Sequence, residues 1–168
     1  MTGVAAGTAV NASATNKIYD GEFDIKVDYT HSQLEAAIKA GEFTLHQVGS
    51  DVRVLTDINS LVTTTANKGD VFKDNQTIRV CDQIATDIAN LFVTKYLGVV
   101  PNDASGRTSL WADIVKHHEN MQSIRAIENF TDEDVTVDQG ETKKSDVVTD
   151  NITVVNTMEK LYMTVYVA

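Results

Sequence analysis

The sequence is short of the residues that build small stapled or metal-organised folds. Of 168 residues, one is cysteine (Cys81), one is proline (Pro101) and one is tryptophan (Trp111). A single cysteine cannot form an internal disulfide, so a disulfide framework is excluded. No apolar run approaches the ~20 residues a membrane-spanning helix requires. The opening residues Met1-Thr2-Gly3-Val4 lack the basic start and long apolar stretch of a secretory signal. Cations are scarce as well: 14 Lys and Arg against 24 Asp and Glu give a net charge of −10 and an isoelectric point near 4.7. So acidic a surface repels phosphate, which argues against nucleic-acid binding and against an anionic membrane. A soluble chain made in a cytoplasm is the expectation.

Catalytic patterns are missing too. There is no Walker phosphate loop, no GxGxxG and no GxSxG elbow. His117-His118-Glu119 is the one local cluster that brings a metal to mind. Neighbouring helical residues point about 100° apart, however, so the two imidazoles chelate one ion poorly. No HExxH follows. His46 falls on a strand-like run with no Cys or carboxylate at ligand spacing and reads as structural. Asp132-Glu133-Asp134 has its glycine and terminal glutamate out of register for a calcium loop. Cys81 falls on the apolar stripe of a helix, where a thiol behaves as a small hydrophobe. No catalytic residue, cofactor or metal is expected.

What is present is an ordinary core composition, 42% apolar and 23% charged, enough for about one domain. Residues 1–16 are small and polar and read as a flexible arm or linker. A Met-Thr start leading into such a stretch suggests a piece of a longer chain. Phe23, Ile25 and Val27 alternate with Asp24, Lys26 and Asp28, a period of two that predicts a strand. Thr30 and Gln33 have capping-box spacing before a helix over 31–40, and Gly41 is a natural stop. Phe43 to Val48 and Val52 to Leu55 predict a hairpin about Gly49-Ser50-Asp51. A loop over 59–75 leads to the clearest helix, 76–97, with a stripe of Ile78, Cys81, Ile84, Ala85, Ile88, Leu91 and Phe92. On that reading Ile84 and Ile88 are buried. A second helix over 107–123 has Leu110, Trp111, Ile114, Val115 and Met121 on its apolar face.

Residues 131–146 hold six acids against Lys143 and Lys144 and read as a solvated loop, with a short strand over 135–137. Two further strands are expected over 150–155 and 160–167. In the last, Leu161, Met163, Val165 and Val167 alternate with Tyr162, Thr164 and Tyr166. A long alternating terminal strand is a template for pairing with another chain, although it can equally close on its own sheet.

Several stretches together resemble contractile phage tail sheath proteins, specifically the C-terminal half of the PBSX-like sheaths of Gram-positive phages and phage-like elements. They are Val4-Ala5-Ala6-Gly7 with Val10-Asn11, Tyr19-Asp20-Gly21, Ala40 to Leu45, and Asp57-Ile58-Asn59-Ser60-Leu61. Further along come Ile78 to Ala85, Asn102-Asp103 to Gly106-Arg107, Ala126-Ile127-Glu128-Asn129-Phe130, Asp150 to Val155, and Met158 to Val165. Their order and spacing cover nearly the whole chain.

The resemblance implies a structural, non-enzymatic subunit that stacks in rings or a helix around an inner tail tube. Such a sheath attaches to a baseplate and shortens to drive the tube through an envelope. It also implies a place in the virion tail, assembled in the bacterial host cytoplasm, with no nucleic-acid partner and no direct membrane insertion. Family members are usually longer, with an arm and outer domains ahead of this region. The fold expected is α+β, a small mixed or antiparallel sheet around 43–48 and 52–56, joined by C-terminal strands and covered by two or three helices. The arm would be 1–16 and the sheath C-terminal domain 17–168. Residues 156–168 would form a C-terminal arm strand hinged at Asn156-Thr157. Subunit contact falls to Glu159, Lys160, Leu161, Tyr162, Met163, Thr164, Val165, Tyr166 and Val167. Tube contact falls to Lys116, His117, Glu119 and Asn120. Other readings are the sheath of an R-type bacteriocin, a small hydrolase using His46 or His117 with a nearby acid, and a monomeric adaptor domain.

Overall fold

The computed structural model describes residues 2–21 and 23–167. The chain is α+β and divides into two compact units, residues 1–77 with 156–168, and residues 78–155.

The first unit opens with a helical turn, α1 (Thr2–Ala6). Within the segment read as an arm, Thr8 and Ala14 are buried. Helix α2 (His31–Lys39) starts as the capping box predicts: the Thr30 side chain accepts from the Gln33 amide, and the Gln33 side chain accepts from the Thr30 amide. It stops at Gly41, whose φ of +70° and 2.8 Å approach of a would-be Cβ to the Asn59 carbonyl both exclude a side chain. The hairpin β1 (Leu45–Val48) and β2 (Asp51–Val54) is antiparallel, with Leu45 opposite Val54 and Val48 opposite Asp51. Residues 16–19 lie along the other edge of β2: the Asn16 amide bonds the Val54 carbonyl at 2.9 Å and the Tyr19 amide bonds that of Val52 at 2.8 Å.

The strand expected from Phe23 to Val27 does not form. That segment carries no strand assignment, bends at Phe23, and leaves Phe23 74% exposed. Alternation supplies a face, but a strand also needs a neighbour for its amides, and none lies alongside.

Helix α3 (Asn75–Leu91) opens across the boundary between the units and ends in a π-helical turn, Phe92–Tyr96. In the second unit its inward residues are Val80 and Ile84, while Ala85 is exposed and Ile88 half-buried. The stripe is thus rotated from the expected one, and Ile88 is corrected from buried to marginal.

Helix α4 (Ala104–Ser123) begins a turn earlier than expected because Asp103 caps it, accepting from the Gly106 amide at 2.8 Å. Its buried line is Leu110, Ile114, His118 and Met121, so a histidine occupies a core position. Helix α4 packs on β3 (Ile127–Glu128) and β4 (Val135–Gln139). Strand β3 pairs with β6 (Thr153–Val154), and β4 pairs with β5 (Asp146–Asp150). The solvated loop over 131–146 is therefore largely a hairpin. Among the described residues there are three separate two-stranded sheets instead of one enlarged by C-terminal strands.

Ile114 is completely buried. Ile114→Ala is expected to cost about 2–5 kcal/mol and Ile88→Ala about 1 kcal/mol, read from denaturant midpoints. Equal costs would show that the α3 face is misassigned.

Candidate assembly interface

Residues 156–167 belong to the first unit and form no strand there, which corrects the expected pairing with its sheet. Their root is fastened. Asn156 Nδ2 donates to Asp74 Oδ2 at 3.0 Å, so the expected hinge at Asn156-Thr157 is itself bonded. Three residues on, the Glu159 carboxylate accepts from the hydroxyls of Thr15 at 2.5 Å and Thr56 at 3.0 Å. Thr15 also accepts the Asp57 amide at 2.9 Å. Asp57, 3% exposed, accepts from the Ala14 amide and from Asn75 Nδ2, both at 2.9 Å. One buried carboxylate thereby joins the N-terminal segment to the start of α3, and Glu159 docks onto that assembly. Burial, followed by the charge of Glu159, pushes the Asp74 carboxyl up, partly opposed by its bond from Asn156.

Past Glu159 the chain is bare. Leu161, Tyr162, Met163, Val165, Tyr166 and Val167 are between 70% and 92% exposed. Both faces of the predicted alternation are open, a concentration of apolar surface that soluble monomers rarely leave uncovered.

The expected tube-contact residues sit on α4. Lys116, Glu119 and Asn120 are exposed, but His117 is half-buried and bonds Asp87 Oδ2 of α3 at 2.9 Å. His117 braces two helices. Nearby, Asp113 accepts from both Lys95 and Tyr96. Burial and that carboxylate push the Tyr96 hydroxyl up.

The pair His118 and Asp150 was not legible in the sequence. His118 is 0% exposed; Nδ1 faces the Ile114 carbonyl at 2.9 Å and Nε2 faces Asp150 Oδ2 at 2.8 Å. A carbonyl only accepts, as does an ionised carboxylate, so these two neighbours favour the charged ring with a proton on each nitrogen. Burial alone disfavours that charge, but Asp150 and the Ile114 carbonyl outweigh it and the net shift is upward. The Phe130 ring lies 5.0 Å away, centroid to centroid. With the Trp111 Nε1 bond to the Val135 carbonyl at 3.0 Å, this pair ties the β4–β5 hairpin to α4. The signal available was period: 110, 114, 118 and 121 follow one helical stripe.

His46 lies on β1 opposite Arg53. The Cys81 thiol is pushed up by burial and by Asp82 and Asp150, the opposite of an activated nucleophile. Among the described residues no three His, Cys, Asp or Glu side chains are grouped to hold a metal ion, and no helix is long and apolar enough to cross a membrane.

The fold thus combines small sheets with open edges and a terminus that is fastened at Glu159 and exposed beyond it. The chain belongs to the phage tail sheath family. The description "Phage tail sheath C-terminal domain" matches residues 67–168, and "Phage tail sheath protein central domain" matches residues 1–60. The chain is 30% identical over 176 residues to the phage-like element PBSX protein XkdK of Bacillus subtilis, across 99% of this chain and 38% of that protein. It is 37% identical over 78 residues to the tail sheath protein of Clostridium phage phiCD119, across 46% of this chain and 21% of that one. Among solved structures, the sheath tail protein of Desulfitobacterium hafniense is similar at TM-score 0.81 and 34% identity, over 95% of this chain and 37% of that chain. That of Listeria innocua gives 0.83 and 28%, over 96% and 39%. The anti-feeding prophage baseplate structure shares the fold at TM-score 0.76 and 14% identity, over 96% of this chain and 46% of that chain. The chain thus spans about two fifths of the length of the PBSX protein and of the two sheath tail proteins.

The raised His118 value sets a pH dependence. A histidine whose folded pKa exceeds its ordinary 6.5 contributes stability that is complete below 6.5 and is lost as pH rises through the folded value. The melting temperature should therefore fall as pH is raised above about 6.5, with the fall reduced in His118→Gln. Asp150→Asn, which removes the carboxylate that favours the charged ring, should likewise flatten the fall with pH. An unchanged pH slope in His118→Gln would locate the dependence elsewhere.

Proposed function

We propose that this chain is the C-terminal part of a structural subunit of a contractile tail sheath, which polymerises around an inner tail tube and shortens to drive it through a cell envelope. The observation that carries the reading is the terminal segment: alternating, aromatic, fixed at Glu159 and exposed from Leu161 onward. Residues 159–167 act as an arm that adds a strand to the sheet of a neighbouring subunit. Backbone amides supply the affinity, and the alternate side chains fix register, since a one-residue slip would turn the apolar face outward. The outer edge of β1, which no strand covers among the described residues, is the kind of acceptor such an arm needs.

The partners are other copies of the sheath subunit, the tube protein and the baseplate, in a virion tail assembled in the host cytoplasm. The role is non-enzymatic. The hydrolase alternative gains no support, since His117 is engaged in joining α3 to α4. Lys116, Glu119 and Asn120 on the exposed side of α4 are the proposed tube contact, with His117 supporting the helix from beneath. Surface ion pairs are individually weak and are screened over about 8 Å at physiological salt. Repeated on every subunit, they hold a tube and still release it.

In the full-length sheath protein, Met163→Pro with Val165→Pro removes two ladder donors. The helices should keep their circular dichroism while electron microscopy finds no extended sheaths. Sheaths of normal length from that double variant would refute strand exchange. Separately, Lys116→Glu should weaken tube docking and change its salt dependence; unchanged docking would remove α4 from the tube contact.

A further inference from the structure

The second unit carries a cavity of about 440 Å³. Its apolar wall comes from Phe92 and Tyr96 of the π-helical turn, stacked at 6.5 Å, together with Leu110. Its rim carries Arg107, Lys143 and Lys144 against a single acid, Asp146. Gly106 keeps the cavity in shape: a Cβ there would fall 2.0 Å from the Pro101 carbonyl oxygen. π-helical turns recur at functional sites, and an apolar hollow with a few convergent charges is the form of a binding site. Two adjacent exposed lysines are notable in a chain of net charge −10. The occupant such chemistry selects is an aromatic side chain flanked by carboxylates.

The chain itself contains that occupant. Residues 19–29 carry Phe23 and Tyr29, 74% and 56% exposed, among Asp20, Glu22, Asp24 and Asp28, with Lys26 as the one cation. From Phe23 to Tyr29 the segment forms neither helix nor strand. We propose that the 19–29 segment of one copy docks on a second copy, Phe23 entering the cavity beside Phe92 and Tyr96, and its acids facing Arg107, Lys143 and Lys144. The contact is independent of the terminal arm and supplies the assembly with a second, salt-sensitive joint.

The test titrates a fluorescent peptide of residues 19–30 into the full chain. Saturable binding that weakens with salt is expected. Phe23→Ala in the peptide, or Lys143→Glu with Lys144→Glu in the chain, should each weaken it about tenfold or more. A peptide carrying Asp24→Lys and Asp28→Lys should recover binding to the charge-reversed chain, which also shows that the reversed chain is folded. The chain bearing the proline pair in its arm should bind the peptide normally, so failure of strand exchange and failure of this joint are separable. Absence of saturable binding up to millimolar peptide, equal binding by the Phe23→Ala peptide, or no recovery in the swapped pair would overturn the proposal.

Discussion

Backbone groups on the outer edge of a sheet need partners from outside its ladder, and every sheet described in this chain has two strands and so two such edges. An isolated two-stranded ribbon is marginal in water. Each hairpin therefore depends on support from outside its own ladder. Residues 16–19 run along β2, and Asn16 and Tyr19 complete hydrogen bonds that the hairpin leaves open. The β4–β5 hairpin is fastened to α4 at two points, the Trp111 indole on the Val135 carbonyl and the His118 ring on Asp150. Outer edges remain after these braces are made, and they have the form on which an assembly built by strand addition depends.

Carboxylates organise the first unit in a different way. Asp57 is buried and accepts from the Ala14 amide and from Asn75 Nδ2, donors that each offset part of the cost of removing a carboxylate from water. Glu159 reaches two threonine hydroxyls beside it. Glu159 and Asp74 repel, and Asn156 partly offsets that repulsion by donating to Asp74. Glu159 is held, and the apolar residues after it are exposed, so the proposed arm would begin past Glu159. A carboxylate suits this junction, since hydroxyl donors fix it in place without any apolar contact that would draw the arm back onto its own unit.

Much of the local structure was legible. The capping box at Thr30, the stop at Gly41, the existence of the hairpin about Gly49 and both long helices follow from short-range rules that the chain obeys, while Asp51, read as turn, opens β2 opposite Val48. What escaped reading has specific causes. Strand β5 was hidden because Asp146 and Asp150 terminate it, and acids at strand ends look like loop. The α3 stripe was misplaced because Thr77 and Gln76 are buried at its start, so polar residues occupy positions that a hydrophobic period treats as surface. His118 was passed over for a related reason: its partner lies 32 residues away, and no local pattern announces a long-range ion pair.

The two strand readings that found no ladder, 23–27 and 160–167, fail in an instructive way. Both segments have the alternation of a strand, and neither is paired as one among the described residues. Alternation records which side chains a pairing would bury; it does not say whose strand completes the pair. In a self-sufficient domain the distinction is idle, because the partner lies in the same chain. Here the pattern persists where no partner is present, at one site with the acids of residues 20–28 and at the other with tyrosines and aliphatics on opposite faces. A sequence that keeps strand chemistry without a cis ladder also keeps the cost of exposing it, in solubility and in open amides. Covering those segments with another chain removes that cost, and their chemistry differs enough that two separate surfaces are needed to do so.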